Sequence, residues 1–342
     1  MAQATAAAKT PTMQDVANAA GVSLGTVSHV LSESRYVRPH TRARVESAIQ
    51  DLGFRPNRVA RALVRRRTNT VGVVLPDIAN PFFAELARGA EDVLGEADYA
   101  AVLGNSDNDP EKERRYLANF SDRGVDGMIV AIAAKADRDE LRERASRVPT
   151  VAVDRVVPGW AGDRVVGDNV TGMGLAVEHL ARLGHKRLAL INGEIALSTA
   201  MERRSGFVRA LDLNRLEAVS LTDGAFTFES GFQQAVELLQ RDDRPTAVCA
   251  ANDLLALAVL AAADERGCRV PEDLSVVGYD DIAYAKLVSP SLSTVRQPAY
   301  DMGSAAAHLL LERLRGLRRT SKRVVMKPEL VARASTGPRG AR

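Results

Sequence analysis

The stretch Thr12-Met13-Gln14-Asp15-Val16-Ala17-Asn18-Ala19-Ala20-Gly21-Val22-Ser23-Leu24-Gly25-Thr26-Val27-Ser28-His29-Val30-Leu31 decides how this chain begins. Val16, Ala19 and Ala20 recur at helical spacing, and Gly21 breaks the pattern. Ser23 is placed to cap a second helix to about Leu31, with Leu24, Val27, Val30 and Leu31 as its apolar positions. Helix, glycine turn, capped helix is the helix-turn-helix arrangement. A third helix is expected from about Pro39 to Leu52, with Val45, Ile49 and Leu52 facing inward and Gly53 closing it. The same stretch permits a rival reading, because Gly21-Val22-Ser23-Leu24-Gly25 has the spacing of a hydrolase nucleophile elbow. That chemistry needs a strand before the serine. Here a helical Val-Ala-Asn-Ala-Ala run precedes it, and no Asp and His partners follow in a suitable context.

Charge separates this head from the remainder. Residues 1–68 hold eleven Lys/Arg and four Asp/Glu, a net of +7, while the rest of the 342 residues hold 35 and 39, a net of −4. A basic terminal segment points to nucleic acid or an anionic surface. Residues 54–70, FRPNRVARALVRRRTNT, form the boundary: Pro56 stops what precedes it and Asn57 is placed to cap a short helix through Val64.

Beyond the boundary the texture becomes α/β. Val71–Leu75 reads as a buried strand and about Phe82–Glu96 as a helix. Tyr99–Leu103, Met128–Ala131 and Thr150–Val153 then alternate as strands with helices at Pro110–Arg123 and Arg138–Ser146. A second series has helices at Val170–Leu183, Ala200–Leu211, Ser230–Leu239 and Asn252–Arg266, with strands at Leu188–Ile191, Ala247–Ala250 and Leu274–Val277. Apolar strands alternating with helices imply parallel sheets, and roughly 270 residues of them imply two lobes. Aromatic residues are only 4% of the chain, so the core is expected to be mainly Ala, Val and Leu. No apolar run reaches the roughly 18 residues of a membrane span, and the start MAQATAAAKT does not read as a signal peptide. The two cysteines, Cys249 and Cys268, exclude a disulfide framework and a cysteine-rich zinc site. His29, His40, His179, His185 and His308 show no metal spacing and are expected in surface or cap roles. Gly172-Met173-Gly174 resembles the start of a dinucleotide fingerprint. Val177 stands at its third glycine position and no strand immediately precedes it, so both glycines are expected to serve helix packing. No cofactor is expected.

The opening stretch, together with Arg55-Pro56-Asn57-Arg58-Val59-Ala60-Arg61-Ala62-Leu63, Pro76-Asp77-Ile78-Ala79-Asn80-Pro81-Phe82-Phe83, Gly278-Tyr279-Asp280-Asp281 and Thr294-Val295-Arg296-Gln297-Pro298, resembles the LacI/GalR family of bacterial transcription regulators. The resemblance runs from Thr12 to about Gly337. It implies a three-helix DNA-binding head at 11–56, a hinge helix and linker at 57–69, and a core at 70–337 resembling periplasmic sugar-binding proteins. The core would divide into an N-lobe of about 70–167 and 299–325 and a C-lobe of about 168–298 and 326–337, leaving tails at 1–10 and 338–342. It also implies a homodimer on a pseudo-palindromic operator and a small effector between the lobes. No Leu heptad follows the core, which favours a dimer over a coiled-coil tetramer.

A helix over about Ser23–Leu31 fits the major groove, where base edges present a distinct donor and acceptor code. Leu24, Gly25, Thr26, Ser28 and His29 are its candidate reading positions, with Ser23 and Thr41 beside them. Leu24 suits a thymine methyl group, and Gly25 has no side chain with which to read. The family often carries Arg where this chain has His29; Arg grips guanine with two bonds, and His makes one. Arg35, Arg38, Arg42 and Arg44 suit phosphates. In the hinge, the resemblance implies DNA contacts from Asn57, Arg58 and Ala60, and a minor-groove wedge at Leu63. In the core it selects Asn80, Phe82, Asp154, Arg155, Arg203, Phe226, Asn252 and Asp280. Carboxylates, guanidinium groups and an amide bind sugar hydroxyls, and an aromatic ring stacks on a sugar face. Asn252 and Asp281 have the simplest rival role, as helix caps. The expected protein is a cytoplasmic, non-enzymatic, sugar-responsive repressor of carbohydrate-use genes. A purine, nucleoside or protein corepressor is the alternative effector, and a sugar-binding protein without gene control is a lesser one.

Overall fold

The computed structural model describes residues 11–32, 35–54, 67–133 and 137–339. It separates into two compact units, residues 1–68 and 69–342. The first holds α1 (Met13–Ala20), α2 (Leu24–Ser32) and α3 (Pro39–Leu52). Thr12 opens α1 with a reciprocal cap: its hydroxyl accepts from the Asp15 amide, and the Asp15 carboxylate accepts from the Thr12 amide at 2.8 Å. Gly21, at φ 60°, ends α1, and Ser23 caps α2 by accepting from the Thr26 amide at 3.1 Å. A helix, not a strand, therefore precedes Ser23, and the nucleophile-elbow reading falls. Val16, Ala17, Ala20, Val27, Val30, Val45, Ala48 and Phe54 make the small core. Ala17 takes the inward place expected of Ala19, which is exposed.

The second unit carries two six-stranded sheets. The first has the order β11-β5-β4-β3-β1-β2, built from β1 (Thr70–Leu75), β2 (Ala100–Asn105), β3 (Gly127–Val130), β4 (Thr150–Val153), β5 (Asp163–Gly167) and β11 (Arg323–Met326), all parallel. One face is covered by α4 (Pro81–Glu96) and α11 (Ala299–Leu314) and the other by α5 (Pro110–Asp122) and α6 (Arg138–Arg147). The second sheet has the order β12-β10-β9-β8-β6-β7, from β6 (Arg187–Asn192), β7 (Glu217–Asp223), β8 (Ala247–Ala250), β9 (Ser275–Asp280), β10 (Ser293–Arg296) and β12 (Glu329–Val331). Only β12 runs antiparallel to its neighbour. Around this sheet pack α7 (Asn169–Arg182), α8 (Ser198–Asn214), α9 (Phe228–Leu239) and α10 (Asp253–Glu265). The chain passes between the sheets three times: after β5, after β10 and after β11.

The core is mostly Val, Ala and Leu, with Phe207 and Tyr279 as its largest fully buried side chains. Small residues let α4 and α11 touch. A Cβ on Gly303 would lie 1.9 Å from the Leu86 carbonyl oxygen, and one on Gly89 would lie 2.0 Å from that of Tyr300. Gly172 does the packing work expected of it, since its missing Cβ leaves room for the Tyr279 hydroxyl. Gly174 has open space around it and does not. His185 also departs from expectation. It is buried, with Nδ1 3.0 Å from Thr246 Oγ1 and Nε2 3.1 Å from the Gly337 carbonyl oxygen, so it fastens the chain's last turn to the second sheet.

Candidate functional site

The C-terminal ends of parallel strands leave a crevice where α/β proteins bind ligands, and the two sheets bring such ends together here. Asn80 follows β1 and caps α4, accepting from the Phe82 amide at 3.0 Å. Asp154 and Arg155 follow β4, Asn252 follows β8, and Asp280 closes β9. Arg203 comes from α8, and Phe226 lies before α9. With Phe83 and Thr199 these eight line one tight cavity whose free volume, about 10 Å³, is that of a single water. All ten lining residues are buried, so the lobes are closed on one another.

The cavity is charged but balanced. Arg203 Nη2 stands 3.7 Å from Asp280 Oδ1, and Arg155 Nε stands 3.7 Å from Asp154 Oδ2. Arg203 also donates to Asn169 Oδ1 at 2.9 Å and to the Ala251 carbonyl at 2.5 Å, and its guanidinium lies 4.0 Å from the Tyr279 ring centroid. Arg155 donates to Asn108 Oδ1 and packs 5.3 Å from the Phe83 ring and 5.7 Å from that of Phe226. Burial pushes the Asp280 carboxyl up to about 7, against the opposing pull of Arg203 and the amide of Gln297. Burial also raises Asp154, against Arg155 and Arg203, and lowers Arg155. Asp154 Oδ1 and Arg155 Nε are buried with no hydrogen-bond partner. Unmet buried polar atoms are uncommon in folded proteins and mark strain or a missing ligand. The backbone agrees: Asp154 sits at φ 61° and Asp280 at φ 114°, conformations that cost of order 1–3 kcal/mol and gather at binding sites.

Several partners were not named from sequence. Gln297 donates to Asp280 Oδ1 at 2.9 Å from the neighbouring strand end, and Asn108 holds Arg155. Gln297 stands in the family-like segment Thr294–Pro298, which was its signal. Asn252 does cap α10, accepting from the Leu255 amide at 2.9 Å, and lines the cavity as well. Asp281 is neither cap nor cavity residue: it pairs with Arg296 at 2.8 Å and with Arg333 at 2.5 Å.

On the head, Leu24, Gly25 and Ser28 are exposed, Leu24 at 46%, while Thr26 and His29 are half-buried. Val27, Val30 and Leu31 of the same helix pack on the core, so Leu24, Gly25 and Ser28 are presented outward. Ser23 serves as the α2 cap, and its hydroxyl lies 2.9 Å from Thr26 Oγ1. Arg35 is exposed, and half-buried Thr41 meets the His40 ring at 3.1 Å. Arg44 departs from the expected phosphate role: its Nε donates to the Ala20 carbonyl at 3.0 Å and its Nη2 to that of Gly21 at 2.9 Å, bracing the turn between α1 and α2. Arg42 lies 3.8 Å from Glu46. Asn57, Arg58, Ala60 and Leu63 lie outside the described residues.

Residues 12–57 match the lacI family of bacterial regulatory proteins, and residues 177–336 match the periplasmic binding protein-like domain. The ribose operon repressor of Bacillus subtilis (strain 168) is 40% identical over 301 residues, covering 88% of this chain and 90% of its own. The transcriptional repressor PurR of Photobacterium profundum is 35% identical over 95% of this chain and 98% of its own. The lac repressor dimer bound to operator and the anti-inducer ONPF superimposes with a TM-score of 0.87 at 29% identity, covering 96% of this chain and all of that one. The chain belongs to the lacI family of ligand-responsive, DNA-binding transcriptional regulators. Among the described residues, no helix is long and apolar enough to cross a membrane.

Proposed function

We propose that this protein is a cytoplasmic, homodimeric repressor of carbohydrate-use genes, released or engaged by a small neutral sugar in the closed cavity. One observation carries the effector class. The cavity sets two carboxyl groups against two guanidinium groups and leaves Asp154 Oδ1 and Arg155 Nε unbonded. A hydroxyl, which both donates and accepts, meets both needs. The free volume of about 10 Å³ is far below the roughly 300–1,000 Å³ of ligand pockets, so the lobes must part to admit a sugar ring. The likeness to a ribose operon repressor supports a pentose. The likeness to PurR favours a purine as the second reading. A purine is best held between parallel aromatic faces, whereas Phe82 and Phe83 meet edge to face at 79°. Calorimetry with pentoses, hexoses, disaccharides and purine bases decides between them. A pentose should bind and a base should not; tight binding of a base alone overturns the sugar reading.

Titration of Asp280 gives a further test. With its carboxyl raised to about 7 in the folded protein, this group's stabilising contribution is lost as pH climbs from the ordinary carboxylate range toward 7. A sugar hydroxyl donating to the carboxylate favours the ionised form. Sugar binding near pH 6 should therefore release a proton, and affinity should rise from pH 6 to 8. Binding enthalpies that are identical in buffers of different ionisation heat would refute that coupling.

The dimer reading rests on two exposed apolar faces. Ile78, Val102 and Leu103 are exposed at the β2 edge of the N-lobe, and Phe228 is exposed on the C-lobe in a groove with Leu257 and Leu260, with Tyr284 and Leu287 exposed on the same lobe. Exposed apolar surface of this kind marks an interface. Leu103→Asp should shift sedimentation toward the monomer; an unchanged dimer would place the contact elsewhere. The net +7 of residues 1–68 predicts a steep loss of operator affinity between about 50 and 200 mM salt. A flat salt response would remove the electrostatic basis.

A further inference from the structure

Outside residues 1–68, the densest positive run in the chain is Arg313-Leu314-Arg315-Gly316-Leu317-Arg318-Arg319-Thr320-Ser321-Lys322-Arg323, six cations without an acid. Two of these work inward. Buried Asp163, at the start of β5, accepts from Arg313 Nε at 2.6 Å, from Arg318 Nη1 at 2.6 Å and from the Lys322 amide at 2.7 Å. Arg313 also donates to the Arg319 carbonyl at 3.0 Å, and Arg318 to the carbonyls of Thr320 at 3.0 Å and Leu309 at 3.1 Å. The loop is thus fixed by hydrogen bonds around one carboxylate, with Leu317 left 73% exposed between Leu314 and Val324, which pack on the core. What it displays is Arg315, Arg319, Lys322 and Arg323, all exposed. Glu312 is already paired with Arg318 at 2.9 Å.

The position of the loop gives this charge a direction. All six strands of the N-lobe sheet are parallel, so the loop preceding β11 lies at the same end of the sheet as the start of β1, where the chain arrives from residue 69. β11 and β2 are the two edges of the order, and β1 lies four spacings from β11, about 19 Å at 4.8 Å per strand. The loop therefore sits at the edge opposite the apolar β2 groove.

We propose that the 315–323 loop is a second DNA-contacting surface, which holds phosphates of duplex flanking the operator. The outward placement rests on the homodimer reading: with β2 toward the second copy, the two loops lie at the outer ends of the assembly. A pre-ordered loop loses little conformational entropy on contact, and Lys and Arg facing phosphates position a protein without reading sequence. The surface extends the footprint and leaves base choice to the head.

The test compares wild type with Arg315→Gln/Arg319→Gln/Lys322→Gln/Arg323→Gln on an operator duplex of about 20 base pairs and on one extended to about 40. On the long duplex the variant should bind roughly tenfold or more weakly, with a log–log salt slope shallower by about two for one lost contact per protomer. On the short duplex the two proteins should bind alike. Sedimentation should show the same oligomer and calorimetry the same effector affinity, separating failure of this surface from failure of the dimer or cavity readings. Equal affinities and salt slopes on both duplexes overturn the proposal and leave an acidic protein partner as the loop's use. Equal loss on both duplexes also overturns it, because the contacts would then lie within the operator.

Discussion

Arg203→Ala should abolish the effector response while operator binding stays within a few-fold of wild type. Arg203 reaches Asp280, Asn169, the Ala251 carbonyl and the Tyr279 ring, all in the second compact unit. Losing one charge-assisted hydrogen bond to the ligand costs about 1.5–3 kcal/mol, roughly 10- to 150-fold in affinity. A second cost falls on the protein. Removing one partner of a buried ion pair destabilises by about 3–5 kcal/mol, because the other charge is left without compensation. Asp280, already raised to about 7, can relieve this by keeping its proton. The double variant Arg203→Ala/Asp280→Ala should accordingly be less destabilised than the sum of the single ones, while equally deaf to effector. Additive melting shifts would mean that the pair is not coupled, and unchanged calorimetric affinity in Arg203→Ala would move the binding site away from this cavity.

The second large effect is expected at Leu63→Ala. Leu63 is a large apolar side chain in a short basic segment that is expected, from its sequence, to form a hinge helix. A wedge of this type opens a base step and permits a bend that brings more protein surface onto the DNA. Specific binding typically exceeds non-specific binding by about 4–10 kcal/mol. Loss of the wedge should bring operator affinity most of the way down that interval. Non-specific binding and the salt slope should hardly change, since no phosphate contact is removed. An energy-transfer assay should show a straighter operator. Wild-type bending and affinity in Leu63→Ala would reduce the segment to a tether.

Local signals made most of this architecture readable. Val71–Leu75, Leu188–Ile191 and Ala247–Ala250 are unbroken apolar runs because parallel strands are covered on both faces. The strands that escaped notice obey distant partners instead. β5 opens with Asp163-Arg164, and its buried carboxylate is satisfied by Arg313 and Arg318, some 150 residues away. β10 buries Ser293 and Thr294, whose hydroxyls meet Thr336 at 2.8 Å and Asp253 at 2.6 Å. β7, β11 and β12 are sheet edges, where polar residues are tolerated and apolar patterning weakens. The cavity residues were legible through resemblance to the family, residue by residue, whereas closure over Thr199 and Phe83 depends on how two lobes meet.

The three passages of chain between the sheets set an order of events during synthesis. Among the described residues, Phe54 is the last of the head's core, so those core residues are all made within the first sixth of the chain. Each lobe waits for its final edge strand, residues 323–326 in one sheet and 329–331 in the other. At ribosomal rates of about 5–20 residues per second, tens of seconds separate the two completions. A nascent chain thus carries a folded DNA-reading unit well before it has a cavity with which to sense its effector. On the homodimer reading, the need for a second copy keeps such unfinished chains from occupying operators while they are still deaf to the signal.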